Sequence, residues 1–171
     1  MKFGRKLLAV VLAAVLLLTV LTSCGGPTAG KELTKQDIVK LMNDTMVSMG
    51  RDLTCNETDA MDEKAEALLK TAQETYEKEQ GKSVLELLTS AEAAQAAEID
   101  TQNDSYAVNL SQNPVELQAI SADKYGDYII DSFGRNRKFI GKNQIHTGNT
   151  VDVGIAFGKI GETQYIVLLQ H

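Results

Sequence analysis

The sequence predicts one α/β domain over residues 33–171, with helices first and a β-hairpin closing the chain. Three observations carry that prediction. Apolar residues recur at helical spacing behind Thr34, Thr58 and Ser83, each a capping residue with an acid close behind it. Between Val151 and Phe157, apolar residues alternate with small or polar ones at a period of two. The 171 residues, less an amino-terminal leader, fill one ordinary domain of about 100–150 residues and leave no room for a second.

Residues 1–23 have the layout of an export signal: a basic start (Lys2, Arg5, Lys6), an apolar run from Leu7 to Leu21, then small residues before Cys24. The run is shorter than the roughly 20 residues a permanent span needs. Leu21-Thr22-Ser23-Cys24 resembles a lipobox, which implies a diacylglyceryl group on the Cys24 thiol and cleavage just before it. The expected product is a lipoprotein on the extracytoplasmic face of the cell membrane, since two acyl chains, at about 0.8 kcal/mol per buried methylene, anchor stably where one is marginal. Residues 24–32, rich in glycine, read as a flexible tether between lipid and domain.

Three of the cations lie in the leader, so the exported part carries −9 against −6 for the whole chain. That balance argues against a nucleic-acid partner. Asp59, Asp62, Glu63 and Glu66 read as the solvated face of a helix. Once Cys24 is lipidated, Cys55 has no partner for a disulfide; it sits in a turn-like joint, Leu53 to Asn56, with no neighbouring cation to activate it. His146 and His171 are the two histidines, too few for a zinc site, so neither metal nor cofactor is expected.

Taken in order, Ile38, Leu41, Met42, Thr45, Met46 and Met49 define a first helix ending at Gly50, its methionines read as core. Met61, Ala65, Leu68, Leu69, Ala72 and Tyr76 define a second that stops near Gly81. Ser83 starts a third, through Val84, Leu87, Leu88 and Ala91. Ile99 to Ser105 is a loop, Tyr106 to Leu110 a short strand, and Val115 to Ile120 a strand or loop. A fourth helix is predicted from Ser121 to Gly141, with Arg135, Arg137 and Lys138 suiting its carboxyl end. Val151 to Phe157, a turn at Gly158 to Gly161, and Tyr165 to Leu169 make the hairpin.

Several of these segments resemble the CAP superfamily, the cysteine-rich secretory, antigen 5 and pathogenesis-related domain. Asn43, Met46 and Gly50, then Met61 and Ala65, hold the places of the family's Asn-Arg-Gly and Leu-x-x-x-Ala positions. Ser132-Phe133-Gly134-Arg135 and Val153-Gly154-Ile155-Ala156 match its later helix and its Val-Gly-Val-Ala strand. The resemblance implies a three-layer α-β-α domain with a small, mainly antiparallel sheet. In the family a cavity lined by histidines and glutamates can hold a divalent metal; here Arg135 stands in a histidine place and Val108 in a glutamate place. Asn109 and Ser132 are the polar residues expected near that cavity.

Three kinds of role fit. The first is a non-catalytic domain that binds a small apolar ligand or an envelope component. The second is an envelope hydrolase using Ser132 with His146, or Glu116 with Asp123 as a carboxylate pair. The third is a structural lipoprotein whose Arg135-Asn136-Arg137-Lys138 cluster touches anionic envelope polymer.

Overall fold

Each helix with a described start begins where a side-chain oxygen is available to its free amides. In a computed structural model, which describes residues 33–113, 122–142 and 148–171, α1 runs Lys35–Ser48 behind a reciprocal cap. Thr34 Oγ1 accepts Asp37 N, and the Asp37 carboxylate accepts Thr34 N at 3.0 Å. Thr58 caps α2 (Asp59–Thr75) by accepting Met61 N. Ser83 and Glu86 form the same reciprocal cap on α3 (Val84–Leu88). The expected third helix is in fact two, because the Ser90 hydroxyl accepts Ala93 N at 3.1 Å and starts α4 (Ala91–Ala96). That helix ends on Glu98, in the left-handed region at φ 52°, with Ile99 N donating back to Ala94 O.

Five strands, β1 (Thr54–Glu57), β2 (Ser105–Gln112), β3 (Arg137–Gly141), β4 (Thr150–Ile160) and β5 (Thr163–Gln170), form one sheet in the order β1-β4-β5-β2-β3. β1 runs parallel to β4; the other three pairings are antiparallel. One face, with Tyr106, Val108, Leu110, Ala156, Val167 and Leu169, packs under α2, α3 and α4. The other, with Cys55, Val151, Val153, Ile155, Ile166 and Leu168, packs under α1 and α5 (Ala122–Arg135) through Ile38, Met42, Ile129 and Phe133. The domain is therefore an α-β-α sandwich, and β5 reads as a continuous apolar run because it is covered on both sides.

Four further sequence expectations change. Leu53 to Asn56 is no joint: Thr54–Glu57 is an edge strand, because its inner side pairs with β4 while the Asn43 side chain holds the outer side. Asn43 Oδ1 accepts Cys55 N at 2.7 Å and its Nδ2 donates to Cys55 O at 3.2 Å. The fourth helix stops at Arg135, not Gly141, since Asn136 O accepts Leu110 N at 2.9 Å and the chain joins β2 as a strand. The hairpin turn is Gly161-Glu162, Gly161 taking φ 57°, and β4 continues through Gly158 to Ile160. Gly154 and Gly158 belong to that strand as seats for α2: a Cβ on Gly154 would lie 2.0 Å from Met61 O, and one on Gly158 2.6 Å from Leu69 Cδ2.

The fourth concerns the acidic stripe. Asp59, Glu63 and Glu66 are exposed as expected, but Asp62 is buried. Its Oδ1 accepts Ile155 N at 2.7 Å, and its Oδ2 accepts the Lys35 ammonium at 2.8 Å.

Candidate functional site: an apolar groove between α1 and α5

The methionine repeat of α1 leaves the core part-way along the helix. Met42 is buried, Met46 is half-buried, and Met49 is 57% exposed, so the stripe read as core becomes a surface over its last two turns. α5 meets α1 at Gly126, where a Cβ would stand 2.8 Å from Leu41 Cδ1. Over the next two turns of both helices the seam opens into a groove of about 190 Å³. Met42, Met46 and Met49 form one wall; Ile130 and Phe133 form the other; Leu168, Asn109 and Gln170 lie at the sheet beneath. Methionine suits such a place, being flexible and polarizable enough to fit more than one shape.

The end of α1 also delivers a charge. Gly50 takes φ 65° and Arg51 N donates to Met46 O at 3.0 Å, a left-handed cap that folds Arg51 back to the groove. Arg137, the first residue of β3, lines the groove as well, its guanidinium 4.9 Å from the centroid of Phe139. Burial draws the Arg137 pKa below its ordinary value; a guanidinium so placed remains a cation. Asn109 is 4% exposed, and its Nδ2 donates to Gln170 Oε1 at 3.0 Å and to Leu168 O at 3.4 Å.

Of the residues expected near the family's cavity, Asn109 alone lies in this groove, and of the basic cluster Arg137 lines it. Ser132 is buried at the joint of α5 and β2, its hydroxyl 3.4 Å from Leu110 O and accepting Asn136 Nδ2 at 3.2 Å. Val108 is wholly buried on the opposite face of the sheet, in the cluster formed with α2, α3 and α4. Arg135 is exposed on α5 and ion-paired to Asp131. The two positions aligned with the family's cavity are thus on different sides of the sheet. Of the basic residues Arg135, Arg137 and Lys138, Arg135 ends a helix, and Arg137 and Lys138 alternate on the strand that follows.

His171 stacks on Tyr106 with ring centroids 4.5 Å apart. Cys24, Glu116 and His146 lie outside the described residues, as do the tether, the leader and the segment Val115 to Ile120; of Asp123, only its place in the first turn of α5 is described. Cys55 is buried, and burial pushes its thiol pKa up, the opposite of an activated nucleophile. Among the described residues no group of three His, Cys, Asp or Glu is placed to hold a metal ion, and no helix is long and apolar enough to cross a membrane.

Among the groove residues, Met46 and Met49 were read from the sequence as core, and Arg51, Ile130 and Gln170, from separate parts of the chain, were not singled out at all. One signal was legible: the Met stripe runs straight into Gly50-Arg51, so its last members had to sit at the rim of the helix layer. No family model, no curated protein and no solved structure matches this chain.

Proposed function

We propose that this chain is a lipid-anchored extracytoplasmic lipoprotein whose CAP-like domain binds a small apolar ligand, without catalysis, in the groove between α1 and α5. The observation that carries the reading is the lining itself: methionine, isoleucine, phenylalanine and leucine walls, to which Asn109, Gln170, Arg51 and Arg137 also contribute. Such an arrangement desolvates an apolar body and orients it by a few polar contacts. The leader, with Leu21-Thr22-Ser23 before Cys24, supports the address. The order of helices, the closing hairpin, and Val153-Gly154-Ile155-Ala156 in its first strand support the CAP-like reading.

Nile red, whose emission rises in apolar surroundings, tests the site on the full chain. It should bind to the wild type and lose at least tenfold in affinity with Met46→Asp, which puts a carboxylate among the groove's apolar walls. Val47→Asp, at a position 75% exposed and outside the lining, should bind as wild type. Equal binding by all three chains, or a clear zinc- or calcium-dependent rise in melting temperature, would overturn the reading.

A further inference from the structure

We infer that the groove receives the carboxy terminus of a peptide whose last residue is apolar, an inference that rests on the groove being a ligand site. Its size limits the apolar part. A volume of about 190 Å³ is close to the roughly 150 Å³ of an engineered cavity that takes up benzene. That suits one side chain and is short for an extended acyl tail.

Its floor asks for a peptide group. Asn109 spends both amide hydrogens on Gln170 Oε1 and Leu168 O, and its Oδ1, which has no partner among the described residues, is open to solvent rather than sealed in the core. Gln170 accepts through Oε1 and keeps its own Nε2 hydrogens. An unpaired, accessible acceptor beside a free amide donor matches the N–H and C=O of one peptide unit. A fatty acid supplies a tail and a carboxylate but nothing for Asn109 Oδ1 to accept.

Its rim asks for an anion. Arg51 and Arg137 both line the groove, and neither pairs with a carboxylate among the described residues, whereas Arg135 is held by Asp131. A guanidinium offers a fork of donors that fits a carboxylate. An apolar side chain, a peptide group and a free carboxylate occur together at one place in a polypeptide, its carboxy terminus, and capture of that terminus is a recurring mode of recognition.

Fluorescence anisotropy tests this with the full chain and two fluorescein-labelled probes, Gly-Gly-Ala-Leu with a free carboxylate and the same peptide amidated. The free acid should bind at least tenfold more tightly than the amide. Arg137→Gln, checked by its melt for folding, should lose about tenfold for the acid and far less for the amide. Equal binding of acid and amide, or displacement of the acid by an equal concentration of dodecanoate, would overturn the peptide assignment. Absence of peptide binding in a chain that still takes up Nile red would overturn it too, and absence of both would remove the groove itself as a ligand site.

Discussion

Asp62 closes a gap that β1 leaves in the sheet, its carboxylate accepting the backbone N–H of Ile155 at 2.7 Å. β1 pairs with β4 only as far as Glu57 opposite Val153, so beyond that row the edge of β4 would carry an unpaired amide. The first turn of α2 passes there, seated on Gly154, and supplies the acceptor. The same carboxylate holds Lys35 from the start of α1, so one side chain ties both helix layers to the sheet.

Asp62→Ala removes the acceptor and leaves a buried amide without a partner. A bond to a charged acceptor together with that desolvation is worth about 3 kcal/mol, or roughly 10 °C in Tm for a domain this size. Asp62→Asn keeps an oxygen for Ile155 and should recover most of the loss. Thermal melts of the three chains check this; equal loss in both variants would show that the ion pair, not the amide contact, matters.

Asn43 serves the opposite edge of β1, with its side-chain amide standing in for a neighbouring strand at Cys55. Asn43→Leu keeps the bulk and removes both bonds, at an expected cost of about 2 kcal/mol. Cys55, buried in the folded chain, should label faster with a thiol reagent in that variant than in wild type. An unchanged labelling rate would mean that β1 holds without Asn43.

Glu57, at the end of β1, has its carboxyl held above its ordinary pKa of 4.5 by burial first, then by the charge and hydrogen bond of Asp62. The folded state therefore favours its protonated form. Its contribution to stability is complete below pH 4.5 and is lost as the pH climbs through the raised folded value. Glu57→Gln, which never ionises, should be the more stable chain at pH 7, with the difference shrinking toward pH 4. Urea titrations across that range check the sign; a difference that does not vary with pH would contradict it.

Glu98 ends α4 with φ 52°, a conformation glycine adopts at less cost. Its side chain is exposed, and its carbonyl accepts the Lys64 ammonium at 3.0 Å, which glycine would preserve. Glu98→Gly should raise stability by about 0.5–1 kcal/mol, the reverse of what a glycine does inside a helix. A lower Tm would show that the gain in unfolded-chain entropy outweighs the relief.

The fold was legible where local chemistry decides it. Thr34, Thr58 and Ser83 marked helix starts because a cap acts within three residues, and the period-two run marked β4. What escaped depends on partners far away in the chain. Thr54–Glu57 is a strand only because Asn43 and β4 flank it, and Arg137–Gly141 is a strand only because β2 lies beside it. Asp62 looked like its exposed neighbours, since nothing local says that β4 runs out of partners above it. Asn109 was found through its place in a motif, yet the groove it floors could not be seen without knowing that α1 and α5 share a face of the sheet.

The most direct test of the ligand groove uses the methionine methyl groups as reporters. Met42, Met46 and Met49 line it, while Met61, in the first turn of α2, is buried on the other face of the sheet and serves as an internal control. With ¹³C-methyl methionine in the full chain, titration of the free-acid peptide or of Nile red should move the Met46 and Met49 resonances and leave Met61 in place. Movement of Met61 alone, or equal movement of all four, would contradict the account.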